Sequence, residues 1–255
     1  MTDKKKLSER DIITKYIIPA IEKAGWDIQK QIREEVYFTA GRIYVKGNKT
    51  KRGKAKKADI ILYYKPNIPV AVIEAKDNTH SIGAGMQQAL DYGEILDIPA
   101  AYSSNGDGFL EHDRSNYTGQ IESGFPLDNF PGPDELWLRY KKYKKIETPE
   151  QERISSHDYF FDGSGRKPRY YQQVAINRAV EAIARGQQRI LIVMATGTGK
   201  TYAAFQIIYR LWQSGTAKRI LFLADRNALI NQTKRGDFKH FKERMKKKKK
   251  KNIDK

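Results

Sequence analysis

The sequence predicts an α/β protein with two domains in tandem, and three observations carry that prediction. Short apolar segments of strand length alternate with amphipathic segments of helical period through the first part of the chain. A stretch rich in proline, glycine and charge, Thr118–Ser164, then interrupts the periodicity. Beyond it, the apolar run Arg189–Met194 leads into a glycine-rich turn and a further helical pattern. A chain of 255 residues can bury two separate cores. We therefore expect a first domain over 1–145, a linker over 146–166, a second domain over 167–240 and a lysine-rich tail over 241–255.

Taken in order, Ser8-Glu9-Arg10-Asp11 has the spacing of a capping box, and Ile12, Tyr16, Ile17, Ala20 and Ile21 recur at helical period until Gly25 ends the segment. Pro19 lacks a backbone N–H and is expected to kink that helix. Glu34–Tyr37 and Arg42–Val45 read as strands, followed by a basic loop, Lys46–Lys57. Ala58–Tyr64 and Val70–Lys76 read as two more strands joined by a turn at Pro66-Asn67. Gly83–Leu96 is periodic as a helix, and Ala100–Ser103 is a short strand ending in the turn Asn105-Gly106-Asp107-Gly108. After the interruption, Pro168 opens a helix that runs to Gly186. Arg189–Met194 and Arg219–Ala224 then read as parallel strands flanking helix Lys200–Ser214, a right-handed βαβ unit, with another helix beginning near Asn227.

The turn after Met194 is the most chemically explicit feature. A strand, a glycine-rich turn and a helix start place successive backbone N–H groups where a nucleotide's phosphates can sit. Thr196, Gly197, Thr198, Gly199, Lys200 and Thr201 spell TGTGKT. Lys200 is expected to reach the β/γ-phosphates and the Thr201 hydroxyl to bind Mg²⁺, which makes ATP the first ligand to consider. The strict phosphate-loop pattern asks for glycine at position 194, where this chain has methionine.

A formal net charge of +18 implies a polyanionic partner, nucleic acid foremost. Part of that excess lies in Lys46–Lys57 and in Lys246–Lys251, the second of which also reads as a solvated tail. The absence of cysteine excludes disulfides and thiolate metal sites and suits a reducing cytoplasm. His80, His112, His157 and His240 have no ligand-like spacing. No apolar stretch is long enough to span a bilayer, and the lysine-rich N-terminus lacks the apolar core of a signal peptide.

A second site is predicted upstream. Asp59 lies on one expected strand, and Glu74-Ala75-Lys76 closes the next, so Glu74 and Lys76 share a face. Two carboxylates from adjacent strands make a hard oxygen site for Mg²⁺, and a nearby lysine can assist an attacking water and offset phosphate charge. Gln88 and Tyr92 stand four apart on the following helix and can lie across that site. An acidic pair on strands also serves as a solvent-facing surface or an ion pair. The ordered set Asp59, Glu74, Lys76, Gln88 and Tyr92 favours phosphodiester hydrolysis. Glu9 is either a further metal ligand or helix-start electrostatics.

These residues carry a resemblance. Asp59 followed by Glu74-x-Lys76 resembles the PD-(D/E)xK nuclease superfamily, with Ala58 in place of the proline, and the Gln-x-x-x-Tyr helix resembles its recombination-nuclease branch. Tyr170-Tyr171-Gln172 resembles the adenine-reading glutamine motif of superfamily 2 helicases, MATGTGKT their motif I, and Leu221–Gln232 their motif Ia. A nuclease of this kind ahead of such a motor resembles the restriction subunit of type I restriction-modification enzymes. The resemblance implies a restriction-endonuclease-like domain followed by a truncated RecA-like phosphate-loop domain, and a Mg²⁺-dependent, ATP-linked DNA endonuclease. It also implies double-stranded DNA as substrate and specificity and methyltransferase subunits as partners, with no membrane. No Asp-Glu-x-His motif follows, so the resemblance implies an N-terminal fragment that binds ATP through Gln172 and Thr196–Thr201 without hydrolysing it. A non-catalytic DNA- and nucleotide-binding module, gripping phosphates with Lys46–Lys57, is the alternative. A nucleotide-dependent phosphotransferase is a third reading, and it leaves motif Ia unexplained.

Overall fold

The computed structural model describes residues 3–39, 43–46, 49–52, 56–224 and 236–246. Helix α1 (Glu9–Ile12) begins on a capping box in which the Ser8 side chain accepts from Asp11 N–H and the Asp11 side chain accepts from Ser8 N–H. It passes through one wide π turn, Ile13–Ile17, into α2 (Ile18–Lys23). That turn, in which Ile18 N–H reaches back to the Ile13 carbonyl, absorbs the donor missing at Pro19.

Strand β1 (Ile32–Thr39) is followed by β2 (Ile43–Lys46) and β3 (Lys49–Arg52), then β4 (Lys56–Lys65) and β5 (Ile68–Ala75). The segment expected as a basic loop is thus largely strand: β2 and β3 form a separate two-stranded antiparallel ribbon, and Lys56 and Lys57 start β4. The reason is readable afterwards, because Gly47-Asn48 is a hairpin sequence between segments that can pair residue for residue. Arg42 and Gly53–Ala55 lie outside the described residues.

Helix α3 (Met86–Leu96) crosses to β6 (Ala100–Ser104), and β7 (Gly108–Asp113) and β8 (Glu122–Pro126) extend the sheet in the order β1-β4-β5-β6-β7-β8. Only β5 and β6 pair in parallel; the other neighbours are antiparallel. Helix α4 (Pro133–Lys144) covers the face opposite α3, where Arg139 bonds to Glu111 beneath Tyr102. The central strand β5 is buried along its whole length, and with Ile12, Ile17, Ile21, Ile60, Leu62 and Phe109 it forms the main core.

The second unit begins with α5 (Pro149–Ser155), inside the span expected as a linker, and continues with α6 (Tyr170–Ala184) and α7 (Lys200–Gln213). Ile154, Ile176, Val180, Ala203 and Leu211 make a small core of their own. The expected βαβ unit does not form among the described residues: Arg189–Met194 and Arg219–Ala224 belong to no sheet. Leu191 is 87% exposed, Val193 85%, Leu221 72% and Leu223 71%. A strand takes its hydrogen bonds from neighbouring strands, and among the described residues none pairs with either segment. The helix expected near Asn227, most of Leu221–Gln232 and the lysines after Lys246 lie outside the described residues.

The two units meet through polar groups. Gln173 and Asn177 of α6 both donate to the carbonyl of Asn67, in the turn between β4 and β5, at 3.0 and 2.9 Å. Arg210 of α7, fully buried, donates to Asn177 Oδ1 and to the Ser155 carbonyl. Arg178 and Lys144 converge on Asp97, and Tyr140 donates to Glu181.

Candidate active site

Asp59 and Glu74 stand across from each other on the antiparallel pair β4–β5, since Ile60 pairs with Ile73. Both are buried. The Asp59 N–H donates to Glu74 Oε1 at 3.3 Å, and the Ala75 N–H donates to Asp59 Oδ2 at 2.9 Å. Glu74 Oε2 has no protein partner although it is sealed from solvent. Burial first, and then the Asp59 charge, push the Glu74 carboxyl up to about 9. A buried carboxyl that keeps its proton and leaves an oxygen unpaired is held in tension by its neighbour. A divalent cation between the two acids resolves that tension, so the donor set fits Mg²⁺, which binds through one or two carboxylates and otherwise keeps water. Among the described residues no group of three or more His, Cys, Asp or Glu side chains has metal-holding geometry.

The site's shape depends on α3. Gly85, its N-cap, sits so close that a Cβ there would lie 2.9 Å from Glu74 Cβ and 3.0 Å from Ser103 Oγ. Ser103 accepts from the Gly85 N–H and donates to the Ile82 carbonyl, which fixes the approach. Sequence reasoning missed both residues; their signal was the Gly-Ala-Gly ahead of the helix. Lys76 follows β5, donates to the Ala75 carbonyl at 2.8 Å and lies 3.6 Å from Glu9 Oε2. Glu9 is therefore placed at the site as the counter-ion of Lys76, a role neither expected reading gave it. Gln88 is exposed and donates to Tyr92 OH at 3.2 Å. Tyr92 is buried against Phe38, and burial raises its hydroxyl above the usual tyrosine range. The five expected residues thus lie on β4, the end of β5 and the facing side of α3.

The glycine-rich turn forms a second locus. Gly197 and Gly199 adopt φ of +81° and +83°, which glycine accepts at no steric cost. Gln172, at the start of α6, donates to the Thr198 carbonyl at 2.8 Å, and Tyr171 OH does so at 3.3 Å. Sequence-distant Gln172 and the turn are therefore neighbours. Lys200, the first residue of α7, folds back onto the carbonyls of Met194 and Ala195 at 3.2 and 3.4 Å, and Thr201 follows it in the first turn.

A family profile described as type III restriction enzyme, res subunit, matches residues 166–255. The chain is 53% identical, over 92% of its length, to the type I restriction enzyme EcoAI endonuclease subunit of Escherichia coli, of which it covers 29%. It is 27% identical over 89% of its length to the EcoKI endonuclease subunit of Escherichia coli strain K12, covering 23% of that protein. Among solved structures it resembles, with a TM-score of 0.71 and 43% identity, one described as a fragment of an HsdR subunit of a type I restriction enzyme from Vibrio vulnificus YJ016. That likeness covers 82% of this chain and 38% of the other. The chain thus spans less than a third of the curated relatives it matches.

Proposed function

We propose, from the chain's homology to the endonuclease subunits of type I restriction enzymes, that it carries a Mg²⁺-dependent DNA endonuclease centre followed by an incomplete ATP-binding translocase domain. Asp59 and Glu74 hold the metal ion, and Lys76 steers the water that attacks a backbone phosphate and offsets the charge that develops there. When bound, Mg²⁺ polarises the phosphate and neutralises its charge. Gln88 and Tyr92 orient the scissile strand from α3. Lys76 must leave the Ala75 carbonyl and Glu9 to meet the phosphate, so substrate completes the centre. The second locus takes ATP, with Gln172 reading adenine, Thr196–Lys200 cradling phosphates and Thr201 holding the nucleotide's Mg²⁺. The partners are double-stranded DNA and the specificity and methyltransferase subunits of a restriction-modification complex, in the cytoplasm. No helix among the described residues is long and apolar enough to cross a membrane.

What supports this reading most is the cross-strand acid pair with its unpaired Glu74 oxygen and Lys76 beside it. Plasmid nicking with Mg²⁺ or Mn²⁺ tests it. Wild type should nick, and Asp59→Ala and Lys76→Ala should not, while all three bind DNA alike. Equal binding with cleavage absent from all three would favour the non-catalytic module.

A further inference from the structure

One strained position in the sheet lies beside the candidate nuclease site. Glu35 has φ of +54° although it sits inside β1. Its neighbours Glu34 and Val36 pair with Ile60 and Ala58, so a regular backbone would set Glu35 opposite Asp59, with Cβ atoms about 5 Å apart. Glu74 already faces Asp59 from the other side. Three carboxylates would then stand abreast on β1, β4 and β5. The left-handed turn avoids that repulsion and delivers the Glu35 carboxylate to Lys57, with Nζ and Oε1 3.1 Å apart.

Lys57 precedes Asp59 by two residues on β4, so its side chain rises from the Asp59 face. It also lies 5.9 Å from the ring of Tyr37, which is exposed. Neighbouring cations are paired too: Lys76 with Glu9, Lys56 with Asp91 at 3.8 Å, and Arg10 with Glu34 at 2.8 Å. Exposed pairs of this kind are weak and exchange readily for a better anion. Like Lys76, two residues from Glu74, Lys57 stands two residues from a member of the acid pair and shares its face.

We propose that Lys57 is a positioning residue for duplex DNA at the nuclease centre, and that a backbone phosphate takes its ammonium from Glu35, the counter-ion of the free protein. The proposal rests on the nuclease reading above. Glu35 then swings to solvent, where it costs little, and its strained backbone keeps it from settling against Asp59. A phosphate seated on Lys57 lies along β4 from Asp59, which sets the register of the strand to be cut.

Anisotropy of a fluorescent duplex over a KCl series, with Ca²⁺ present, reads binding, and plasmid nicking with Mn²⁺ reads turnover. Lys57→Ala should weaken binding several-fold, lower the salt slope by about 0.9, as expected for one lost phosphate contact, and raise KM more than it lowers kcat. Lys57→Arg should restore all three. Glu35→Gln should tighten binding, and that gain should vanish on the Lys57→Ala background. A wild-type salt slope and KM in Lys57→Ala, or a Glu35→Gln effect that survives without Lys57, would overturn the assignment while Asp59→Ala remains inactive. Nicking by Asp59→Ala at the wild-type rate would instead remove the nuclease reading, and this assignment with it. Melting curves of each variant separate loss of contact from loss of fold.

Discussion

Replacing Glu74 with glutamine removes one titration from the folded state, and the sign of its effect is fixed. The Glu74 carboxyl is raised from 4.5 to about 9 by burial and then by Asp59, and it returns to the ordinary range on unfolding. Between those values the folded chain keeps a proton that the unfolded chain releases, so stability falls as pH rises. The slope is about 1.4 kcal/mol per pH unit, so about 2.7 kcal/mol is lost between about pH 6 and about pH 8 through this group. Glu74→Gln does not titrate, and its stability relative to wild type should improve by that amount over the same interval. Urea denaturation followed by the fluorescence of Trp26 and Trp137, both in the main core, measures it. Saturating Mg²⁺ should flatten the wild-type dependence, because it stabilises the ionised pair, and leave the variant unmoved. Parallel pH curves for the two proteins without metal would refute the reasoning that this carboxyl is buried with its proton.

Three further outcomes follow from the geometry. Gly85→Ala forces a methyl group against Glu74 and Ser103 and should cost about 1–3 kcal/mol with loss of nicking. Gly93→Ala, whose tightest contact is the far end of the Arg114 side chain at 3.3 Å, should cost less in the same melts. Gly199→Ala imposes φ of +83° on a residue with a side chain, a strain of about 1–2 kcal/mol, and crowds Gln172; titration with a fluorescent ATP analogue should show weakened binding. Leu191→Lys combined with Leu223→Lys should raise the soluble yield of the chain without altering nicking, since both side chains are exposed and far from Asp59 in sequence.

The first unit was legible where the sequence carried a local signal. The capping box at Ser8, the apolar runs of β4 and β5 and the Pro66-Asn67 turn all describe structure set by neighbouring residues. The acid pair was legible because strand period and a short turn suffice to align Asp59 with Glu74. Strands β7 and β8 were not, since Gly108–Asp113 and Glu122–Pro126 carry charge and glycine that only pairing to β6 and to each other justifies. Helix α4 hid behind the prolines and glycine at its start, although Pro133 sits at its first turn, where proline is tolerated. Glu35 gave no signal at all, because the acid it would face, Asp59, lies on a different strand, β4. The second unit misled in the opposite sense. Arg189–Met194 has every local mark of a buried strand, yet a strand is a relation between segments, and composition alone supplies only one side of it.

The hydrogen bonds gathered on Asn67 give the joint between the units a particular mechanical character. The amides of Gln173 and Asn177 meet the Asn67 carbonyl there, with Arg210 behind Asn177, and Tyr170 of the same helix packs edge-on against Phe38 of the main core. The joint is anchored on the bend between β4 and β5, so a displacement of α6 is transmitted to the two strands that carry Asp59 and Glu74.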